Sequence, residues 1–250
     1  MYLQRLILTQ FKNYDWQRLE PAPKLNFLVG KNGMGKTNLL DAIYYLCMGK
    51  SYFVGNDRYL PLQGTDLFRL EGHFVKEEGR LEKVVAKVQP GKKKVFEYND
   101  RPYERLMDHV GLLPVVIIAP DDTALAMEGS EERRRFLDNT LCQINPDYLR
   151  ELVQYNKVLQ QRNAFLKQND GRALRDTALL DIYDEQLAAI APSLFKVRED
   201  LIDDLGPVFQ HYQGIISNEQ ESVGCRYRSQ LSEENYLDQL RACREKDIHL

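Results

Sequence analysis

Apolar and polar side chains alternate over residues 2–10, with Leu3, Arg5, Ile7 and Thr9 on one face and Gln4, Leu6 and Leu8 on the other. A period of two predicts a strand. Phe11 to Asp15 is a polar turn, and Trp16 to Leu19 can pair back as a short second strand. Further on, Phe68–Val75, Leu81–Gln89 and Lys93–Tyr98 read as three antiparallel strands, separated by Glu77-Glu78-Gly79-Arg80 and Pro90-Gly91-Lys92. Both linkers carry turn chemistry. Asn99-Asp100-Arg101-Pro102 leads into a short helix ending near Gly111, and Leu112 to Ala119 is an unbroken apolar run of the kind expected in a buried central strand.

The period changes after about Asp122. Residues 131–143, 147–168 and 176–214 are poor in glycine and spaced for helix. Leu152, Tyr155, Leu159 and Leu166 form a narrow apolar seam like that of a coiled coil. Asn169-Asp170-Gly171 breaks it, which predicts a helical hairpin of 147–168 and 176–190. Pro192 is expected to start another helix, and Gly206-Pro207 to interrupt or kink it. Val223–Arg228 alternates like a strand, and Glu233–Arg244 returns to helix behind a Ser232 cap. The pattern therefore divides the chain into 1–122, an α/β part, and 123–250, a mainly helical part with a short strand and helix at its end.

One stretch carries chemistry. Gly30-Lys31-Asn32-Gly33-Met34-Gly35-Lys36-Thr37 fills every fixed position of G-x-x-x-x-G-K-[ST]. It follows the apolar Leu25–Val29 and opens a periodic segment in which Leu39, Leu40, Ile43, Leu46 and Cys47 share a face. Strand, glycine loop and helix form the context this motif needs. The glycines let successive N–H groups converge on a phosphate, helped by the positive end of the helix dipole. Lys36 is placed for the β- and γ-phosphates of ATP, and the Thr37 hydroxyl for Mg²⁺. A Walker B aspartate is harder to find. Ala119 and Pro120 separate Ile118 from Asp121, and Leu179-Leu180-Asp181 lies in helix-periodic sequence, so both are rejected.

Composition adds exclusions. A net charge of −3 over 250 residues removes a generally basic nucleic-acid binder, so DNA contact must come from a local patch. Cys47, Cys142, Cys225 and Cys243 have no metal spacing and read as small residues of a reducing compartment. The four histidines are equally scattered. No apolar run is long enough to span a bilayer, and no signal-peptide pattern opens the chain, so a cytoplasmic protein without a membrane partner is expected. Lys92–Lys94 read more simply as a charge-protected hairpin edge than as a phosphate contact.

Five ordered stretches together resemble the bacterial RecF family of ABC/SMC-type ATPase heads. They are Leu8-Thr9-Gln10-Phe11-Lys12-Asn13-Tyr14; the loop Gly30–Thr37 with Asn38-Leu39-Leu40; Pro120-Asp121-Asp122 followed by Arg133-Arg134-Arg135-Phe136-Leu137-Asp138; Tyr155 to Asn163; and Asp184, Leu187 and Arg198. The resemblance covers essentially the whole chain. It implies a P-loop NTPase lobe with a mixed sheet and antiparallel strands, beside a helical second lobe. It also implies bacterial DNA recombination repair and replication (the SOS response among its settings), with binding of ATP, Mg²⁺ and gapped or single-stranded DNA. The expected partners are RecR- and RecO-type mediators and an ATP-dependent homodimer.

The resemblance further places Lys12 and Asn13 beside the nucleotide and offers Arg133, Arg134, Arg135 and Arg162 as DNA contacts. For these arginines, solvated helix faces and ion pairs with Glu131, Glu132 and Asp138 compete as an explanation. Lys12 stands where the family usually has arginine. Tyr52-Phe53 stands where an arginine follows Gly49-Lys50-Ser51, and Arg58 is the nearest substitute. The family's S-x-G-Q signature and Walker B pair do not occur in these 250 residues. The chain is therefore expected to be a shortened form that supplies no catalytic residue of its own and binds ATP without efficient hydrolysis. A small-molecule kinase and an SMC-like partner-binding module that does no catalysis are the rival readings.

Overall fold

The computed structural model describes residues 1–77, 79–127, 129–168, 177–232 and 236–247. They fall into two units, Met1–Asp122 and Thr123–Leu250.

The first unit is built on an antiparallel sheet. Its strands are β1 (Tyr2–Phe11), β2 (Tyr14–Leu19), β3 (Phe68–Val75), β4 (Leu81–Val88), β5 (Val95–Tyr98) and β6 (Arg101–Pro102), in the order β2-β1-β3-β4-β5-β6. In register, Leu6 pairs with Leu19 on β2 and with Gly72 on β3. Leu6, Leu8, Phe68, Leu70, Val84, Ala86 and Phe96 then face one core. The opposite face carries Arg69, Glu71, Lys83, Lys87 and Glu97 in cross-strand and along-strand ion pairs. Asn99 and Asp100 both take positive φ (49° and 64°), the pairing that a two-residue hairpin loop requires.

Helix α1 (Lys36–Met48) covers the core face of this sheet. Leu39, Ala42, Tyr44, Tyr45, Leu46, Cys47 and Met48 are buried, whereas Leu40, expected on this face, is exposed and Ile43 is half-buried. Tyr45 meets the edge of Phe68 and stacks on Phe96, with ring centroids 5.3 and 6.1 Å away. Each fully buried side chain of this size contributes about 1.5–3 kcal/mol. Burial pushes the Cys47 thiol up to about 12, which keeps it an inert core group. Lys94 does more than guard an edge: its ammonium bonds the Gly49 carbonyl and Asp57 and lies over the Tyr45 ring.

Two segments depart from expectation. Among the described residues neither Leu25–Val29 nor Leu112–Ala119 joins a ladder, so the strands expected there do not form and every ladder is antiparallel. Leu25–Val29 is exposed throughout, and the burial of Leu112–Ala119 is one-sided. Leu113, Val115 and Ile117 pack on the core, whereas Val116 and Ile118 are 87% and 86% exposed, as are Phe27 and Val29 at 78% and 88%. An unbroken apolar run therefore stood for one packed face and one open one.

The second unit is helical: α2 (Ala124–Met127), α3 (Ser130–Ile144), α4 (Pro146–Gln168), α5 (Ala178–Ser217) and α6 (Tyr236–Asp247). The break expected at Asn169-Asp170-Gly171 lies outside the described residues. Pro192 and Pro207 were expected to divide α5, yet it runs through both for 40 residues. Its buried positions, Leu180, Asp184, Leu187, Ala191, Leu194 and Arg198, recur every three or four residues, and Pro192 faces solvent. Packing along that stripe outweighs the local penalty of Pro192, whereas Pro207 lies beyond it on an exposed part of the helix. Asn218, at φ 51°, ends the helix in the left-handed conformation. Val223–Arg228 forms no strand; the helical unit offers its alternating pattern no sheet edge to join.

Candidate nucleotide site

Gly30, Gly33 and Gly35 have φ of 153°, 80° and 95°, which L side chains rarely adopt, so the curl of this loop depends on glycine. Gly35 is also the N-cap of α1, and being glycine it offers the helix no side-chain cap. The first turn holds no acidic residue either. The first N–H groups and the positive end of the dipole are thus left open toward the loop. The Lys36 ammonium folds back over the loop, 2.7 Å from the Gly30 carbonyl oxygen and 2.8 Å from that of Lys31. Gly30 to Met34 and Thr37 are exposed. Converging N–H donors, one lysine and one hydroxyl suit a phosphate chain carrying a divalent cation. No group of three His, Cys, Asp or Glu side chains that could hold a metal occurs among the described residues, and Thr37 lies exposed at the end of the loop.

The turn between β1 and β2 holds this loop from beside it. The Lys12 ammonium lies 2.6 Å from Asp41 Oδ2 and over the rings of Phe11 and Phe53, 5.7 Å from each. Asn13 Oδ1 accepts from Asn38 at 2.8 Å. The Tyr14 hydroxyl donates to the Gly35 carbonyl at 3.1 Å. Asp41 is fully buried and also accepts from the Ser51 hydroxyl at 2.6 Å and from the Tyr52 N–H at 2.8 Å. Three donors satisfy the carboxylate, as a buried charge requires. Sequence reasoning gave no role to Asp41 or to Tyr14, although Tyr14 closes the first of the family-like stretches. The available signal was an acidic residue at an otherwise apolar position of α1.

At Tyr52-Phe53, in place of the arginine expected after Gly49-Lys50-Ser51, Tyr52 turns inward and bonds Asp122, whose other oxygen accepts the Ala119 N–H at 2.7 Å. Phe53 takes the place beside Lys12, and Arg58 lies exposed on a one-turn helix. Asp122 therefore closes a turn.

Arg133, Arg134 and Arg135 lie exposed on α3, touching the Leu125 carbonyl, the Ser130 hydroxyl and, at 3.7 Å, Glu132. Arg162 is not with them. It is 2% exposed, and its guanidinium is bonded to Asp184, Asp247 and the Leu240 carbonyl. In this arrangement a phosphate has no approach to it, and it joins α4, α5 and α6 from within. Asp138 likewise turns inward, onto Tyr148 and Arg198.

Residues 2–59 match the model of the RecF/RecN/SMC N-terminal domain. The DNA replication and repair protein RecF of Porphyromonas gingivalis is 40% identical over 251 residues, covering 100% of this chain and 68% of its own length. That of Flavobacterium johnsoniae is 39% identical, covering 99% and 68%. Among solved structures, the recombination mediator protein RecF with ATPrS, from the RecFOR pathway, superposes with a TM-score of 0.88 at 28% identity, covering 99% of this chain and 69% of that one. The RecF–ATP structure gives 0.83 at 28% identity, covering 99% and 67%. With about 40% identity over the length of the chain, it belongs to the RecF family of DNA replication and repair proteins.

Proposed function

We propose that this chain binds Mg²⁺–ATP at Gly30–Thr37 and serves recombination repair as a RecF-type DNA-binding protein of the bacterial cytoplasm. The observation that carries the reading is the Lys36 ammonium on the Gly30 and Lys31 carbonyls, at the mouth of an uncapped helix N-terminus. A positive charge stored on two neutral carbonyls is free to exchange them for phosphate oxygens, a stronger, charge-assisted partner. The solved RecF–ATP and RecF–ATPrS structures support the same ligand.

In this reading the loop N–H groups hold the phosphates, Lys36 neutralises the β and γ groups, and Thr37 ligates Mg²⁺. ATP supplies the phosphate charge around which two copies associate, so nucleotide favours the dimer to the extent that it touches both copies only there. Gapped or single-stranded DNA and RecR- and RecO-type mediators are the partners of that state. The 250-residue chain itself is expected to bind ATP and turn it over slowly.

Titration with fluorescent MANT-ATP and Mg²⁺ tests the reading. Saturable binding by the wild type and its loss in Lys36→Ala, with the fold retained, is the expected result. Equal binding by both proteins would refute it. Rapid ATP turnover by the chain would overturn the expectation of slow hydrolysis.

A further inference from the structure

Three consecutive residues of the β1–β2 turn meet three positions of the loop and helix start that are three residues apart. Lys12 meets Asp41, Asn13 meets Asn38, and Tyr14 meets Gly35. Positions three apart lie on one side of a helix, so the turn lies along a single flank of α1. The Tyr14 contact differs from the other two because it falls on backbone. Gly35 O accepts two bonds, one from Leu39 N at 3.0 Å within α1 and one from the Tyr14 hydroxyl at 3.1 Å.

A trans peptide is planar, with its C=O and N–H pointing in opposite directions. Fixing the Gly35 carbonyl toward the helix therefore aims the Lys36 N–H out of the helix N-terminus, where a phosphate oxygen would sit. Glycine at φ 95° has few steric barriers of its own against a flip of this peptide. The Asn13 amide closes the adjacent space: its atoms lie 2.5–3.0 Å from where a Cβ on residue 35 would stand. Burial raises the Tyr14 pKa, so the hydroxyl keeps its proton and remains a donor.

We propose that Tyr14 is a positioning residue for phosphate binding: its hydroxyl holds the Gly35–Lys36 peptide in the orientation that presents the Lys36 N–H to the ligand. The proposal rests on the nucleotide reading above. Tyr14 does not touch the ligand. It sets how much of the loop is pre-formed, and the cost of ordering the loop otherwise falls on the binding step.

The test is Tyr14→Phe in the 250-residue chain, which deletes one oxygen and keeps the ring. MANT-ATP with Mg²⁺ is titrated into wild type, Tyr14→Phe and Lys36→Ala, beside urea unfolding of each. The expected result is affinity about three- to tenfold weaker in Tyr14→Phe, the range one neutral hydrogen bond allows, with the folded fraction unchanged. Unaltered affinity with a lower urea midpoint would make the hydroxyl a structural strut and overturn the proposal. Loss of the fold in Tyr14→Phe would overturn it equally. Absence of binding in the wild type would instead remove the nucleotide reading, and this proposal with it.

Discussion

Arg162 Nε and Asp184 Oδ1 lie 2.7 Å apart in the interior of the helical unit, with their side chains 2% and 0% exposed. Arg244 reaches the other oxygen of the same carboxylate, so Asp184 joins α4 and α6 through α5. Removing Arg162 leaves Asp184 with Arg244 as its partner and takes the donor from Asp247 and the Leu240 carbonyl, a loss of interior charged hydrogen bonds that costs about 1–3 kcal/mol. Arg162→Ala should therefore lower the stability of the chain by that amount in urea unfolding. Asp184→Ala should cost at least as much, since it takes the buried partner from two arginines and leaves Arg162 with Asp247 and Arg244 with Asp181. Equal stability of both variants and the wild type would mean that the pair is open to solvent.

His109 gives a dependence on pH. It is fully buried, its Nε2–H donates to the Leu46 carbonyl at 2.6 Å, and the ring lies beside Phe96 and Tyr103. Desolvation lowers its pKa, opposed by the bond to Leu46. The unfolded chain then binds a proton that the folded one refuses. Stability from this group is complete above about pH 6.5, the ordinary histidine value, and falls as pH drops from there toward the lower folded pKa. The urea midpoint of the wild type should decline between about pH 7.5 and 5 more steeply than that of His109→Gln. Parallel curves would show that protonation of His109 is not linked to unfolding.

The strands β1 and β3–β5, the α1 helix and the glycine loop were all legible in the chain, because each carries its own local signal of period, turn residue or motif. What escaped detection depends on neighbours distant in sequence. Arg162 sits on the buried stripe of α4 with Leu152, Val158 and Leu166, yet a charged residue there looks like a surface cation until Asp184 is placed opposite it. Asp41 was hidden in the same way, since its three donors come from Lys12, Ser51 and Tyr52. Pro192 misled because the propensity of a single residue says nothing of a packed stripe from Leu180 to Arg198, and Pro207 lies beyond that stripe. Leu112–Ala119 misled because an apolar run does not show which of its faces will be covered.

Arg133, Arg134 and Arg135 supply the arginines exposed on α3, and Arg162 serves as their internal control. If they meet DNA backbone, replacing all three with Ala should reduce the slope of log K against log salt by about two to three units, at roughly 0.9 for each phosphate no longer neutralised. Their own partners, such as Glu132 at 3.7 Å from Arg135, are solvent-facing, so stability should hold to within about 1 kcal/mol. An unchanged slope measured with gapped duplex DNA would remove α3 from the interface.

Gly35 and Gly49 bracket α1, both in the left-handed region at φ 95° and 70°. Alanine at either position costs about 1–2 kcal/mol in backbone strain alone. Each also meets a neighbour: a Cβ at 49 would come within 2.8 Å of the Leu106 side chain, and one at 35 within 2.5 Å of the Asn13 amide. Urea unfolding should register both substitutions similarly. Ligand binding should separate them, because Gly49 caps the far end of the helix, where its N–H bonds the Tyr45 carbonyl. Gly49→Ala should leave MANT-ATP affinity per folded molecule unchanged, whereas Gly35→Ala should weaken it by tenfold or more, about 1.4 kcal/mol for each factor of ten. Adding Asn13→Ala to Gly35→Ala should recover the part due to the clash and leave the part due to φ. Full recovery would show that Gly35 is needed for space alone, and its left-handed backbone would then carry no weight in phosphate binding.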